Sequence, residues 1–367
     1  MSGGGANATI INANVTLAEV DGTASDIILT GLATVSAQSL AHLTAEVDVT
    51  SIAVGLFALA AGGGTASIAT GGSVAGHVSG VEMTAGGLSV SALSGVSQRT
   101  TVWGMTVGAT AGVGASVAAV ATSRSVAATV GGSSGTYHLG SLTVAAEAGG
   151  INGSAIEDVA AYASGGGLLL GVQSTSATAT NTSQVDAGIE SGATLVVSGN
   201  AVISASGSDA QQIRSKAVAG GLIGVGAAYA SGTTNTGVSA TIGELVQLTA
   251  GNLSIWAVGS DAVSVGVVAG AYGLASGSAA TATTHITSDV FAGIVDASSS
   301  DRKSTVNVIG TFQIAASHLA NPDAEIDTSA YGVLAGSGAA ASNTIGSTVA
   351  AELGNHSVVA AGTLDIN

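Results

Sequence analysis

The 367-residue sequence contains no cysteine, and this absence excludes three kinds of chemistry at once. Disulfide bonds, zinc–thiolate sites and thiol catalysis all require cysteine side chains. The absence is also compatible with a protein that is exported from the cell. Proline is nearly absent too, since Pro322 is the one copy in the sequence.

Charged and aromatic residues are scarce as well. Charged residues make up 8% of the chain and aromatic residues 3%, whereas ordinary soluble proteins carry about 25% charged residues. The surface must therefore consist mostly of Ser, Thr, Asn and backbone groups. Six Lys and Arg residues stand against 22 Asp and Glu, which gives a net charge of −16 and leaves no basic patch to neutralise phosphates. Nucleic acid is not an expected partner.

The sequence is instead rich in glycine, with 56 residues, and 46% of it is apolar. This apolar content excludes a disordered chain, which combines low hydrophobicity with high net charge. Long helices are not expected either, because Gly is costly in a helix interior and Val, Thr and Ser are mediocre helix formers. These properties together favour β-structure.

One short pattern recurs along the whole chain: a glycine, then apolar residues at every second position. It is clearest at Gly310, Phe312, Ile314 and Ala316. Its central β-branched residues, which we call the first column, are Val35, Val90, Val144, Ile203, Ile255, Ile314 and Ile366. They are separated by 55, 54, 59, 52, 59 and 52 residues. A turn that leads into a short strand, repeated at a nearly fixed period, is typical of a repeat protein.

A second pattern, called the second column here, consists of an aliphatic residue, a small residue and another aliphatic residue at alternate positions. Its seven copies span 11–15, 74–78, 126–130, 185–189, 238–242, 290–294 and 349–353. Period-2 spacing places the three residues of each copy on one face of a strand. The small central residue predicts close approach of another layer.

The segments between the two columns contain a polar part and a glycine-studded apolar part. The longest apolar run, 100–123, has the length and the glycine spacing of a membrane helix. We prefer strands for this run, because Gly, Thr and Ser are interleaved and its sibling runs are shorter. The polar insertion 296–304 is expected to loop outward.

These patterns predict an all-β fold, a parallel β-solenoid of about six repeats of 52–59 residues. The solenoid forms one continuous array over residues 6–367, with repeats starting near 31, 86, 140, 199, 251, 310 and 362. Residues 1–5 are expected to be a flexible leader. One wide, flattened coil per repeat is favoured over three coils of about 18 residues. An antiparallel β-sandwich array is the alternative fold.

The two ends of the chain are predicted to fit one another. The sequence opens at a second-column copy and closes just after a first-column copy, so that Leu364 and Ile366 of one chain would stack on the next chain. The expected interface comprises Ile11, Ala13, Val15, Leu364 and Ile366. Such a heterologous contact gives a filament. The alternative is that the sequence is a piece of a longer protein.

Residues that could carry chemistry do not form a catalytic motif, and we expect no enzyme and no bound cofactor. The histidines lack metal-ligand spacing. Asp209 with Arg214 is a possible ion pair, although a solvated loop pair is the plainer interpretation, and Asp209 and Asp261 are expected to cap a recurring turn. Calcium is the one ligand with some support, from oxygen donors in loops. Its weak candidates are Asp21, Asp26, Asp323, Glu325 and Asp327, with surface solubility as the alternative role.

The glycine-led first column, the Gly/Ala/Val runs and the second column resemble the repeat regions of large bacterial filamentous adhesins of the haemagglutinin and leukotoxin-associated type. The resemblance covers about residues 6–367 and implies an extracellular fibrous protein with roles in adhesion and biofilms. The first residues lack the pattern of a signal peptide, so the export signal would lie outside this chain.

We therefore expect an extracellular or cell-surface structural protein. Its expected partner is a further copy of itself, head to tail, with no insertion into a membrane. The alternative function is a binding module for a carbohydrate of a cell surface or matrix.

Overall fold

The computed structural model describes residues 1–22, 26–55, 57–132, 135–151 and 156–367, and almost all of them lie in β-strands. A short 3₁₀ helix (Ser300–Arg302) lies in the polar insertion. The strands are β1 (Ser2–Asp21), β2 (Asp26–Ile28), β3 (Leu32–Ala53), β4 (Leu59–Ser79), β5 (Glu82–Ala85), β6 (Gly87–Gly108), β7 (Ala111–Thr122), β8 (Ser125–Gly131), β9 (Thr136–Leu139), β10 (Leu142–Gly150), β11 (Glu157–Gly167), β12 (Leu170–Asn181), β13 (Gln184–Ile189), β14 (Thr194–Gly220), β15 (Ile223–Thr234), β16 (Gly237–Ile242), β17 (Gln247–Tyr272), β18 (Ala275–Ile286), β19 (Asp289–Ile294), β20 (Thr305–Tyr331), β21 (Leu334–Ile345), β22 (Thr348–Leu353) and β23 (Val358–Ile366).

The strands form two sheets, and every pairing between described strands is parallel. Sheet A contains β1, β4, β7, β8, β12, β13, β15, β16, β18, β19, β21 and β22; sheet B contains the other eleven strands. Parallel pairing throughout confirms the β-solenoid and excludes the antiparallel sandwich. The apolar run 100–123 lies in β6 and β7. The described residues include no helix long and apolar enough to cross a membrane.

Each repeat makes one wide coil. Residues paired between neighbouring coils are 52 apart between β15 and β18 and 59 apart between β18 and β21, which is the repeat length read from the sequence. Three small coils per repeat would instead pair residues about 18 apart, so the single flattened coil is confirmed. A strand of 26 or 27 residues, such as β17 or β20, is about 85 Å long, and seven stacked coils rise about 30 Å.

A coil crosses sheet B in one pass and returns through sheet A in two pieces. In the central and C-terminal coils, two residues separate those pieces, for example between β15 and β16. This bend separates the two main apolar clusters of the interior, and a third, small cluster consists of Ala53, Ala58 and Ala60. The larger contains the first and second columns, and the smaller lies between the other halves of the two sheets. Between the two clusters runs a row of buried polar side chains.

The first column stacks as predicted, in one unbroken ladder. Val35 pairs with Val90, and Ile314 pairs with both Ile255 and Ile366. Six of the seven second-column copies also stack in register, from Val74 onward. The small central residues lie where the sheets approach closely, since a Cβ added at Gly76 would be 2.6 Å from the Ser91 carbonyl oxygen of sheet B.

For the first of the seven copies of the second column, the predicted position is wrong by five residues. Thr16, Ala18 and Val20 pair with the second column of the next coil, whereas Ile11 pairs with Ala69 and Val15 with Ser73. Ile11 and Val15 face outward and are 77% and 75% exposed. Strand β1 carries two overlapping patterns of alternating apolar residues, and the bend of sheet A falls between them, so spacing alone could not choose the correct one.

The expected leader is part of the fold. Residues 2–5 begin β1 and pair with residues 60–63 of β4. Glycines occur on both strands of this pair, and the backbone pairing continues through them. The prediction of a flexible leader is therefore wrong for these residues. The insertion 296–304 does loop outward, as expected, with Asp301, Arg302 and Lys303 exposed.

Candidate functional site

The two ends of the solenoid are open strand edges. Among the described strands, β1 pairs only with β4 at one end, and β3 pairs only with β6. At the other end, β21 pairs only with β18, β22 with β19, and β23 with β20. An open edge presents a row of backbone donors and acceptors to which a further strand can add.

The predicted interface residues lie on these edges but in different sheets. Ile11, Ala13 and Val15 belong to β1 in sheet A, whereas Leu364 and Ile366 belong to β23 in sheet B. Stacking of the β23 residues on Ile11–Val15 is therefore incompatible with the coil register, and this part of the prediction is wrong.

If the ladders continued across a junction between two chains, other residues would be paired. The column that contains Leu364 begins at Ala33, and the column of Ile366 begins at Val35. In sheet A, Val349 continues the column that begins at Thr16. In this register, β1 of the added chain would lie on β21 and β22 of the first chain. Its β2 and the start of its β3 would lie on β23.

The backbone groups at the two edges point in the directions that such a junction needs. The N–H groups of Leu334, Gly346 and Thr348 donate to the preceding coil. Because the direction alternates along a strand, the odd-numbered residues of β21 and β22 face the open end. The Gly22 N–H donates to Ser79 of the following coil, so the odd-numbered residues of β1 face the opposite open end.

One part of the C-terminal edge is protected. The Ala316 N–H donates to Asn367, so the even-numbered residues of β20 beyond this point face the open side. The backbone nitrogen of Pro322 carries no hydrogen, and it faces the side where an added strand would need a donor. The hydrogen bonds between β20 and β17 are unaffected. Outward-facing acids charge the same edge: Asp323, Glu325 and Asp327. Proline and charge both protect edge strands from unwanted pairing.

A cleft of about 520 Å³ lies on the outer face of sheet B and is formed by neighbouring coils. Its floor is an aromatic pair, Trp103 of β6 and Tyr162 of β11, whose ring centroids are 4.1 Å apart at an interplanar angle of 21°. Trp103 is 50% exposed. Arg99, Asp158 and Arg214 line one side, and Asp158 lies 3.7 Å from the Arg99 Nε and 3.3 Å from an Arg214 terminal nitrogen.

The cleft brings two arginines together on a strongly acidic chain, and two acids in the same lining, Glu46 and Asp158, balance their charge. Arg99, Arg214 and Lys216, three of the six Lys and Arg residues, point outward within three neighbouring coils. Lys216 pairs with Tyr162 in the ladder, so it follows Trp103 and Tyr162 in the same row, one coil further on. Acids bound this region on both sides along the solenoid axis: Glu46 and Asp48 on β3, and Glu325 and Asp327 on β20.

A third group of polar residues, the buried polar seam, separates the two apolar clusters. It contains Arg124, Glu157, Asp209, Asp261 and His318. Arg124 donates to the carbonyl and the hydroxyl oxygens of Ser94 at 3.0 and 2.9 Å. Asp209 accepts a hydrogen bond from Thr234 at 2.5 Å, and the Nε2 of His318 lies 2.7 Å from Asp261 Oδ2. The seam thus contains acids from three successive coils.

Burial changes the protonation of this seam. Desolvation raises the pKa of Asp209 from 3.8 to about 6; the Asp261 charge adds to this, while the Thr234 hydrogen bond opposes it. Desolvation also raises the pKa of Glu157 well above its usual range, with the Asp209 charge as the second cause and the Thr122 hydrogen bond opposing it. One oxygen of each carboxyl has no partner among the described residues.

Two sequence expectations for these acids are wrong. Asp209 and Asp261 do not cap turns, because they lie in the middle of β14 and β17 and face inward. Arg214 pairs with Asp158 and Gln212, not with Asp209, since it lies on the opposite face of the sheet. Alternation from the first column would have placed Asp209 inside, because it is six residues beyond Ile203.

The calcium candidates do not come together. Asp21 accepts a hydrogen bond from Ser79, and Asp26 lies on β2. Asp323, Glu325 and Asp327 alternate along one extended strand, about 6.6 Å apart. Throughout the described part of the chain, no three His, Asp or Glu side chains form a group that could hold a metal ion.

Function must be inferred from the geometry of this chain alone. A comparison of the sequence and the structure with protein-family models, with curated proteins and with solved structures gives no match.

Proposed function

We propose that this chain is an extracellular structural protein that builds filaments by end-to-end stacking of solenoids, and that its role is structural rather than catalytic. The repetitive parallel β-solenoid is compatible with a structural protein. The observation that supports assembly is the match between the two open edges. In a junction between two chains, the side-chain columns would continue in register. The unpaired N–H and C=O groups of one edge would face unpaired groups of the other edge.

The proposed junction repeats the contacts that already join one coil to the next. Ala18 would stack on Ala351 and Val20 on Leu353, as Gly76 stacks on Ala128 and Val78 on Val130 within the chain. Every strand pair added this way satisfies backbone groups that otherwise face water. In this register no strand of the added chain lands on the uncovered part of β20, which is where Pro322 and its neighbouring acids lie.

Substitution of Ala341 by proline is expected to stop filament growth. Ala341 lies in β21 at an odd-numbered position, so its N–H faces the open end. Proline removes this donor and obstructs the added strand, while the ladder between β18 and β21 keeps its bonds. Filament formation is measured by sedimentation and electron microscopy, with Ala341→Ser, which retains the N–H, as the matched control. Equal filament yields from both variants would contradict assembly through β21.

Substitution of Pro322 by alanine is expected to increase irregular aggregation. The change restores one backbone donor on an open edge, and a net hydrogen bond contributes about 0.5–1.5 kcal/mol, or roughly a two- to tenfold gain in association. The aggregated fraction is measured by light scattering. Ala324→Pro, which removes a donor of the same orientation, serves as the control and is expected to cause no increase. An unchanged aggregated fraction in Pro322→Ala would show that this proline does not protect the edge.

A second function, recognition of a carbohydrate, is favoured by the outer-face cleft. Sugar-binding sites need an exposed aromatic face and a few polar groups that fix orientation. Trp103, half exposed and supported on one side by the stacked Tyr162, supplies the aromatic surface, and Arg99, Asp158 and Arg214 supply the polar groups. Both functions are compatible, because the β3 residues that line the cleft (42–46) lie outside the start of β3, which is the part that meets β23 in the proposed junction.

A further inference from the structure

The outer-face cleft has a feature that neutral sugars do not require, two exposed arginines with spare hydrogen-bond donors. Arg99 is 66% exposed, and its nearest acid, Asp158, is 3.7 Å from its Nε. Its terminal nitrogens have no hydrogen-bond partner among the residues that the structure describes. Arg214 is 52% exposed and donates once to Asp158 and once to Gln212, which leaves further N–H groups directed outward.

Asp158 lies between the guanidinium groups of Arg99 and Arg214. It pairs with Arg99 in the ladder and lies one coil away from Arg214 and Gln212. The hydrogen bond to Asp158 restricts Arg214 beside the aromatic pair, which reduces the entropy lost when a ligand binds. Arginine is well suited to carboxylates, because its planar group donates two parallel hydrogen bonds.

The surrounding charges limit the size of the ligand. The aromatic and cationic row runs from Trp103 through Tyr162 to Lys216, which is three coils or about 10 Å between outer members. Asp48 lies in the same row before Trp103, and Asp327 lies at its other end. A long polyanion would meet these acids, whereas a short acidic ligand would not.

We propose that the cleft binds a short oligosaccharide that carries carboxylates, of the uronic-acid type. One sugar ring packs on the exposed part of Trp103, and its carboxylate is bound by Arg99 and Arg214. Lys216 receives the carboxylate of the next sugar. This inference rests on the second function proposed above, carbohydrate recognition, and is independent of filament assembly.

The test uses two probes of equal length, tetragalacturonate and its carboxyl-reduced neutral counterpart. Binding to the full chain is measured at low salt by titration calorimetry and by tryptophan fluorescence. The acidic probe is expected to bind at least about tenfold more tightly than the neutral one, and to weaken as salt screens the arginines. Equal affinities would overturn the acidic specificity and leave carbohydrate recognition standing. Binding of neither probe would overturn both.

Matched variants locate the site. Trp103→Ala is expected to weaken tetragalacturonate binding at least about tenfold, whereas Trp256→Ala, at another exposed tryptophan of the same face, leaves it unchanged. The double variant Arg99→Gln/Arg214→Gln should remove the difference between the two probes, and Arg302→Gln in the distant insertion should not. Unchanged binding in both cleft variants would contradict the assignment.

Discussion

Replacement of Ile255 by aspartate is expected to unfold the central coils, with a loss of more than about 4 kcal/mol in the free energy of unfolding. Ile255 is fully buried in the larger apolar cluster and is stacked between Ile203 and Ile314 of the first column. A carboxylate at this position would have no cationic or hydrogen-bonding partner in that column, and an unpaired buried charge is among the costliest changes a core can receive.

The neighbouring position provides a matched control. Ser254 precedes Ile255 on the same strand and faces outward, so Ser254→Asp adds the same charge to the solvent side. Its effect on the free energy of unfolding is expected to lie within about 0.5 kcal/mol. Urea unfolding followed by circular dichroism compares the two variants. Similar losses in both would contradict the alternation of inward and outward residues along β17.

Acidification is expected to stabilise the folded chain, in contrast to most proteins. The pKa of Asp209 is about 6 when folded and 3.8 ordinarily, so the folded state binds its proton more tightly. The stabilisation is complete below the unfolded-state pKa and is lost as the pH rises through the folded-state pKa. For Asp209 alone this amounts to about 3 kcal/mol. Because burial raises the pKa of Glu157 well above its usual range, the loss of folding stability continues to higher pH.

Asp209→Asn isolates this contribution. Asparagine keeps the shape and an oxygen that can accept from Thr234, but it does not titrate in this range. The free energy of unfolding is measured in urea between about pH 5 and pH 8. The variant is expected to lose a large part of the decline seen in the parent chain, whereas Asp289→Asn, at an exposed position, should keep it. A parent chain whose stability rises over this interval would contradict a buried, neutral Asp209.

The repeat pattern predicted the coil because each coil is one copy of it. First-column residues such as Val144 and Ile203 are both β-branched and both led by a glycine at a fixed distance, so alignment of the copies gave the register directly. The same reasoning failed in β1, where Ile11 and Thr16 each begin an acceptable pattern and only pairing with β4 distinguishes them.

The cleft and the seam could not be found in the same way. Trp103 and Tyr162 are 59 residues apart, and Arg99 and Asp158 likewise, so their contacts depend on the register of two unequal coils. The residues Gly, Ser and Asp are typical of turns and so predict a turn at Asp209, although extending the alternation from Ile203 places this residue inside. A buried carboxylate is rare, and composition gave no reason to expect one.

Electron cryomicroscopy of the chain over a range of concentrations would show whether the coil continues from one chain into the next. We expect unbranched ribbons about 85 Å wide, in which the strand spacing of about 4.8 Å continues through every junction and Ser2 of one chain is level with Ala335 of the next. Separate slabs about 30 Å tall at every concentration, or chains joined by their faces with both edges free, would contradict end-to-end continuation of the coil.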